Sequence, residues 1–348
     1  MEQDTRKGSW HLWVGLLVGL VSLAAVFLFY AKPAEIVDNL RHVHPSYLLL
    51  GALGIVLFLL IRAVRWRFML TSERGDAPPL DHVFHIQNIG YMLTQLLPLR
   101  LGDVGRAILI GNVPPVTIAQ GISTMVVERL LDMLFIVVLL PFTLSGLTAL
   151  PAWMRSFALF SGFAAIAGII ALIVAANQRP RAVGFADWLL GRRWLRFLDR
   201  AAWVRRVDEL LLGLRSLTSL RDGALLLVLS VVVWLPVLLA YYFIMRAVGL
   251  EPTWTMTGFV VCAAAFSVAV PSTPGQIGPF HFAVITALQL YDQPAAASAS
   301  FAFLYHIVNI VVMVIFGLIG IAGTGVTFRH VVQSAQAFVA RQRSESAS

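Results

Sequence analysis

Two groups of ionisable residues interrupt otherwise apolar segments of this sequence, and both could bind a charged ligand. In the first group, Glu128 and Asp132 are one helical turn apart, with Arg129 beside them. A helix would therefore place both carboxylates on one face. Ionisable side chains inside an apolar span are energetically costly and usually face a cavity or one another, so substrate binding is the first hypothesis. The alternative is a self-neutralising cluster that anchors the helix at the membrane interface.

The second group consists of Arg100, Asp103 and Arg106, close together in another apolar segment. Asp103 fits the N-cap of a helix, and the free N–H groups at a helix start favour an anion. Capping alone would explain Asp103. It does not explain two arginines, whose guanidinium groups bind phosphate in a bidentate manner. We expect Arg100 and Arg106 to hold a phosphate, while Glu128 and Asp132 balance that charge or bind a cationic group.

An eight-residue pattern, Pro-x-x-x-Gly-x-(Val/Ile)-Gly, contains the second group and occurs twice, at 98–105 and at 271–278. Its prolines and glycines are Pro98, Gly102 and Gly105 in the first copy, and Pro271, Pro274, Gly275 and Gly278 in the second. Neutral polar residues replace the charges in the second copy, namely Ser272, Thr273 and Gln276. Such clusters break helices, and broken backbone is tolerated at membrane depth only against protein or a water-filled cavity. A matched pair of breaks predicts the central binding site of a transporter.

The composition is typical of an α-helical membrane protein. Apolar residues make up 59% of the chain and charged residues 13%, with a mean hydropathy of +0.82. The net charge of +8 is explained by basic cytoplasmic loops, so nucleic acid is not expected as a partner. The single Cys262 excludes an intrachain disulfide and a cysteine-based metal cluster. Because nucleotide-binding, paired-histidine and serine-hydrolase motifs are missing, we expect no cofactor, no metal and no enzyme activity.

The distribution of charge predicts the topology. Six spanning helices are expected, at 10–30, 46–61, 121–147, 157–175, 224–248 and 296–328. Clusters of basic residues, including Arg62 and Arg65 after the second span, belong on the cytoplasmic side, which places both termini in the cytoplasm. Two apolar segments remain, at 82–112 and 255–292, and each contains one copy of the repeated pattern. Each should enter and leave the membrane by the same face, from opposite sides.

The predicted fold is therefore an all-α polytopic membrane protein with two re-entrant helical hairpins in an inverted repeat. One integral-membrane domain would cover 1–348, with a first half-repeat at 46–147, an inverted half at 224–328 and a cytoplasmic tail at 329–348. A basic loop at 177–222 would carry an amphipathic helix between Trp194 and Leu220, lying on the anionic inner leaflet or docking a partner. The expected location is the inner cell membrane, with several passes.

Further polar side chains lie near the end of the apolar sequence. Tyr305, His306 and Asn309 would share one face of the last span, where a hydrogen-bond network between helices is the favoured interpretation. His281 and Arg246 are expected at helix interfaces.

Four stretches of the chain resemble the lysylphosphatidylglycerol synthase transmembrane family, the flippase region of the multiple peptide resistance factor, which also occurs as stand-alone proteins. These stretches are 62–67, 97–106, 127–132 and 271–278. The resemblance implies movement of a lipid between leaflets, with a charged headgroup. Full-length relatives add a soluble aminoacyl-transferase domain, which we do not expect in this chain, so synthase activity is not carried over.

These observations favour a lipid translocase that moves a phospholipid or lipid-linked polar headgroup between leaflets. Its partner would be a membrane lipid with an anionic or zwitterionic headgroup. One alternative is an intramembrane enzyme on a lipid substrate, with Asp103, Glu128 or a histidine as general acid or base. Another is a membrane scaffold that recruits a soluble lipid-modifying enzyme through the basic loop. The sequence leaves open whether the protein forms a homo-oligomer.

Overall fold

The computed structural model describes residues 17–30, 32–71, 75–96, 101–144, 177–192, 200–213, 220–267 and 274–326, with short pieces between 156 and 175. All regular elements in these stretches are helical. The helices are α1 (Leu17–Phe29), α2 (Pro33–Arg41), α3 (Pro45–Met69), α4 (Leu80–Leu96), α5 (Leu101–Gly111), α6 (Ile118–Thr143), α7 (Arg179–Leu190), α8 (Arg200–Gly213), α9 (Leu220–Ala247), α10 (Trp254–Ser267), α11 (Pro279–Gln289) and α12 (Ala295–Thr324).

Three helices of the described chain, α3, α9 and α12, are long and apolar enough to cross a membrane. The pair α1 and α2, bent by 79°, would add a fourth if it formed one span. Helix α6 is also long, at 26 residues, but Glu128, Arg129 and Asp132 lie near its middle. The span predicted at 157–175 lies largely outside the described residues.

Helix α3 extends beyond the span predicted for it. It ends at Met69, so Arg62 and Arg65 lie inside the helix and are 5% and 0% exposed. The prediction that the second span ends at residue 61, before these two arginines, was wrong. No proline or glycine interrupts the sequence between Gly54 and Met69, so the helix can continue. Both guanidinium groups form ion pairs with the buried carboxylate of Asp132.

Two pairs of short helices, α4 with α5 and α10 with α11, occupy the segments that contain the repeated pattern. Their lengths of 17, 11, 14 and 11 residues fall short of the ~20 that a spanning helix needs. Helix α4 is described to Leu96 and α5 from Leu101, while α10 is described to Ser267 and a 3₁₀ turn, Pro274–Gln276, precedes α11. The predicted breaks at Pro98 and Pro271 fall on residues outside the described ones, between these helices.

The glycines of the two copies have different roles. Gly102 and Gly105 were expected to break the chain, but both lie inside α5. A Cβ atom at Gly102 would overlap the Gly90 carbonyl oxygen, so α4 and α5 touch backbone to backbone. In the second copy Gly275 and Gly278 have φ angles of 67° and 104°, a region that favours glycine. Pro279 follows at the first helical position of α11.

Helices α3 to α6 and helices α9 to α12 make corresponding contacts. Helix α4 packs against α12 as α10 packs against α6, and α5 packs against α6 as α11 packs against α12. The two first helices, α3 and α9, pack against each other. Near the start of α3, Tyr47 stacks on Phe243 near the end of α9, while Arg65 near the end of α3 reaches Ser230 near the start of α9. These equivalent helices therefore run antiparallel.

Helices α7 and α8 form a separate pair joined by two bidentate ion pairs. Arg179 donates to both carboxylate oxygens of Asp208, each at 2.7 Å, and Arg200 to those of Asp187 at 2.7 and 2.6 Å. Helix α8 also packs against α6. The helix predicted between Trp194 and Leu220 is found at Arg200–Gly213, whereas α7 was not foreseen.

Candidate functional site

A cavity of about 250 Å³ lies where the end of α4 meets the 3₁₀ turn Pro274–Gln276. The 3₁₀ turn lies close to the end of α4, since a Cβ atom placed on Gly275 would be 3.4 Å from the carbonyl oxygen of Gln95. Residues of α3, α4, α6, α9, α10, α11 and α12 line this cavity, together with Gly275 and Gln276 of the 3₁₀ turn. Helix α5 contributes no described lining residue. The end of α4 and the turn of the second copy thus both border this cavity, whereas residues 97–100 of the first copy lie outside the described residues.

A buried ionic network adjoins the cavity and links three helices. Arg62 of α3 donates to Asp132 Oδ2 at 2.6 Å and also binds Glu128. Arg65 donates to Asp132 Oδ1 at 2.9 Å, and Arg106 of α5 reaches Glu128 Oε1 at 3.3 Å. All five side chains are buried, and Glu128 is 0% exposed. With three guanidinium groups and two carboxylates, the network carries one positive charge in excess.

Arg106 was expected to hold a phosphate, but it does not face the cavity. The residue is 1% exposed, and its guanidinium carbon lies 4.5 Å from the ring centre of Trp66. The close approach of α5 to α4 explains this position, since a Cβ atom on Gly90 would lie 2.9 Å from Arg106 Cβ. Arg106 instead neutralises Glu128 from behind the cavity wall.

Arg129 and Asp103 form a second, more accessible ion pair. Arg129 Nη2 lies 3.0 Å from Asp103 Oδ2, and the two side chains are 39% and 16% exposed. Asp103 is the third residue of α5, so it is not the N-cap that its sequence context suggested. Arg129 lines the cavity together with Arg62. Among the described residues, these two arginines are the cations at the cavity wall.

Of the other predicted site residues, some are described by the structure and some are not. Gln276 lines the cavity with a φ angle of 61°, and Pro274 begins the 3₁₀ turn. The remaining ones lie outside the described residues, namely Pro98, Arg100, Pro271, Ser272 and Thr273.

Arg62 lines the cavity although it was not predicted as a site residue. The signal was present, because the segment from Ile61 to Met69 contains no helix breaker and would continue the α3 helix. Arginines at positions 62 and 65 of such a helix share one face. The prediction followed the rule that basic residues next to a span lie on the cytoplasmic side, and not this helical pattern.

Aromatic and histidine side chains form another part of the cavity wall. Tyr305, His306 and Asn309 all line the cavity. Tyr305 contacts Tyr241 of α9 at 4.1 Å between ring centres, and His306 stacks on His281 of α11 at 4.8 Å. Arg246 lies over the Tyr47 ring of α3 at 5.5 Å. His281 and Arg246 are thus at helix interfaces, as expected.

Within the described part of the chain, no three His, Cys, Asp or Glu side chains are grouped so that they could hold a metal ion.

Residues 12–317 match the protein family described as the lysylphosphatidylglycerol synthase TM region. The chain belongs to this family. The match includes all residues that line the cavity. A UPF0104 membrane protein of Methanothermobacter thermautotrophicus is similar, at 23% identity over 275 residues, which is 76% of this chain and 80% of that protein. No solved structure matches. Membership of the lysylphosphatidylglycerol synthase TM region family identifies a helical membrane protein and is consistent with a lipid-related function.

Proposed function

We propose that this protein is a translocase that moves a phospholipid or lipid-linked polar headgroup between the leaflets of the inner cell membrane. The observation that carries the proposal is the cavity between the end of α4 and the 3₁₀ turn, with Arg62 and Arg129 at its wall. Guanidinium groups are well suited to the phosphate of a lipid headgroup. The excess positive charge of the buried network favours an anionic occupant further.

The size of the cavity supports a headgroup as the occupant. Its volume of about 250 Å³ lies below the ~300–1,000 Å³ of pockets that enclose a drug-sized ligand. A whole lipid would not fit, so the acyl chains would remain in the surrounding bilayer. Apolar side chains at the wall, such as Phe58 and Val237, are compatible with chains that pass alongside.

The corresponding helix contacts support an inverted repeat. In this proposal, α4–α5 and α10–α11 are re-entrant hairpins that enter from opposite faces, and six helices span the membrane with both termini in the cytoplasm. The antiparallel α3 and α9 are what inversion of the second half would produce. Secondary transporters place their binding site at the interface of such repeats, near the membrane midplane.

The pairing of the ionisable groups favours a translocase over an intramembrane enzyme. Asp103 and Glu128 were the carboxylate candidates for acid–base catalysis, and each is bound by a guanidinium group. Both carboxylates are thus engaged by a partner within the protein. We therefore propose no catalytic step at these residues.

The proposal is tested by leaflet exchange of a fluorescent phosphatidylglycerol in proteoliposomes. Arg129→Gln removes the accessible cation, and we expect exchange to fall about tenfold or more, since a hydrogen bond to a charged group contributes ~1.5–3 kcal/mol. Arg181→Gln is the matched control, because Arg181 is exposed on α7, and its exchange should equal that of the wild type. Equal exchange in both variants, or none in the wild type, would contradict the assignment.

A further inference from the structure

One face of helix α7 is occupied by the rest of the protein. Arg179 and Asp187 lie on this face and form the ion pairs with α8. Val183, between them, packs against the apolar cluster that includes Leu226. These three positions recur at intervals of four residues, as one face of a helix requires. The face on the other side of α7 therefore points away from α8.

That opposite face presents a stripe of exposed residues, namely Arg181, Phe185, Trp188 and Arg192. Their spacing of four, three and four residues places them on one side of a helix. Phe185 and Trp188 are 61% and 54% exposed, and their rings stack with centres 5.7 Å apart. The guanidinium carbon of Arg192 lies 4.1 Å from the centre of the Trp188 ring. Within the part of the chain that the structure describes, neither arginine of the stripe pairs with a carboxylate.

The segment that precedes α7 indicates where this stripe lies. Residues 157–175 are largely apolar, and Phe163, Ile170 and Val174 are 71%, 57% and 51% exposed, which suits contact with acyl chains. The backbone N–H of Gln178 donates to the carbonyl oxygen of Val174 at 2.9 Å, so α7 follows this segment within one helical turn. In the topology proposed above, α7 therefore begins where the acyl chains end.

We propose that this stripe of α7 is an anchor that docks on a leaflet containing anionic phospholipid. Phe185 and Trp188 enter the boundary between headgroups and acyl chains, where aromatic residues are enriched. The two guanidinium groups bind the phosphates beside them. The segments 179–192 and 200–213 together contain six arginines and three acidic residues, so the α7–α8 pair is attracted to a negative surface.

The anchor is separate from the cavity. No residue of α7 or α8 is among the described residues that line the cavity. The stripe therefore contributes to the position of α7 and not to the binding of a transported headgroup. Its place at the membrane surface rests on the topology that accompanies the proposed function, whereas the exposed stripe does not.

Docking is measured in nanodiscs with a bimane label on Gly184→Cys in a Cys262→Ala background. A side chain fits at residue 184, because nothing lies within 4 Å of a Cβ atom there. Phosphatidylcholine with a nitroxide near its headgroup is the quencher at a constant fraction, while phosphatidylserine replaces part of the unlabelled phosphatidylcholine. We expect quenching to increase with phosphatidylserine and to decrease at high salt, which screens the charges.

Two variants test the residues of the stripe. Arg192→Gln should lower the ratio of docked to undocked label about fivefold, the factor that one basic residue contributes near an anionic surface. Trp188→Ala should lower this ratio with or without phosphatidylserine, because the apolar contact is lost. Arg41→Gln is the matched control, since Arg41 is also exposed but lies at the end of α2. The control should dock as the unmodified protein does.

The outcomes separate a lipid surface from other occupants of the stripe. Quenching that does not respond to phosphatidylserine, or that Arg192→Gln leaves unchanged, overturns the anchor. Absence of quenching together with binding of a polyglutamate peptide assigns the stripe to an acidic protein and also overturns it. Hydrogen exchange of α7 in each variant shows that the helix is still folded.

Leaflet exchange distinguishes the anchor from the translocase. Docking on phosphatidylserine without leaflet exchange of labelled phosphatidylglycerol supports the anchor and overturns the translocase. Leaflet exchange without docking overturns the anchor and leaves the translocase standing.

Discussion

At the scale of single residues, the buried charges explain why α3, α5 and α6 pack together beside the cavity. Burial of an ion costs several kcal/mol even after relaxation, and only a well-placed partner offsets this. Glu128 is approached by Arg62 and Arg106, and Asp132 by Arg62 and Arg65. Each carboxylate therefore ties α6 to a neighbouring helix. The pair Arg129–Asp103, which is more exposed, has less influence on stability.

Glu128→Gln should destabilise the protein strongly. The change leaves Arg62 and Arg106 short of one negative charge in a buried site, and loss of one partner from a buried pair costs about 3–5 kcal/mol. Asp103→Asn breaks the half-exposed pair and should cost about 1 kcal/mol or less. Both are measured by unfolding the purified variants in detergent with a denaturing surfactant. Equal losses of stability in the two variants would show that the buried network contributes no more to holding these helices together than the Arg129–Asp103 pair does.

At the scale of helices, contact between backbones determines the first helix pair. Gly102 lets α5 approach α4 so closely that α4 covers Arg106 and directs it toward Trp66 and Glu128. The proline and glycine pattern predicted that a break was present here. It did not show that the glycine serves packing in one copy and backbone conformation in the other.

Gly102→Ala should lower the melting temperature markedly. Its new methyl group would meet the backbone of Gly90 and the side chain of Thr94, and overpacking of this kind costs about 1–3 kcal/mol. Gly184→Ala is the matched control, because nothing lies within 4 Å of a Cβ atom at that position of α7. It should be neutral or stabilising by up to about 1 kcal/mol. A tolerated Gly102→Ala would contradict the close packing of α4 on α5.

The pair α7–α8 should separate in acid. Hydrogen bonds from Arg200 and Arg179 lower the pKa values of Asp187 and Asp208 below the ordinary 3.8. A carboxyl whose pKa is lowered by folding stabilises the folded state above its ordinary pKa, and this stabilisation is lost as the pH falls through the lowered value. The stability of the α7–α8 contact should therefore stay the same from neutral pH down to the ordinary pKa and should decrease below it.

Hydrogen exchange in α7 and α8, corrected for the intrinsic effect of pH, measures this separation. The double variant Asp187→Asn/Asp208→Asn should exchange faster already at neutral pH and should respond little to acid. Protection that persists in acid in the unmodified protein would show that apolar contacts hold the pair instead.

At the scale of the whole molecule, the two sets of helices enclose the cavity by bringing the ends of α4 and the second break together. Gln95 and Gln276 both line it, one from each set. In the proposed translocase, a headgroup that passes this point would have to separate the two ends, so we propose that this contact is its gate.

Cross-linking this contact should stop transport. Gln95→Cys and Gln276→Cys in a Cys262→Ala background, joined by a short bifunctional maleimide, should give a cross-linked product and lose leaflet exchange. Each single-cysteine variant treated with the same reagent is the control for modification alone. Full exchange in the cross-linked protein would show that the two ends need not separate.

The sequence by itself determined the class of protein, the long apolar helices, the two breaks and the shared face of Glu128 and Asp132. Each of these follows from local features: apolar runs, prolines and glycines, and the helical period. Family resemblance followed from the same short stretches. None of these required knowledge of which helices are neighbours.

Only the tertiary structure decided the partners of the charged residues. Arg62 and Arg65, which were predicted to follow the span, belong to the buried network. Arg106 lies outside the cavity, whereas Arg129 lines it. The tertiary structure also brought His281 against His306. The helical period fixes which face a side chain occupies, but the helix that covers that face comes from a distant part of the chain, so its identity depends on packing.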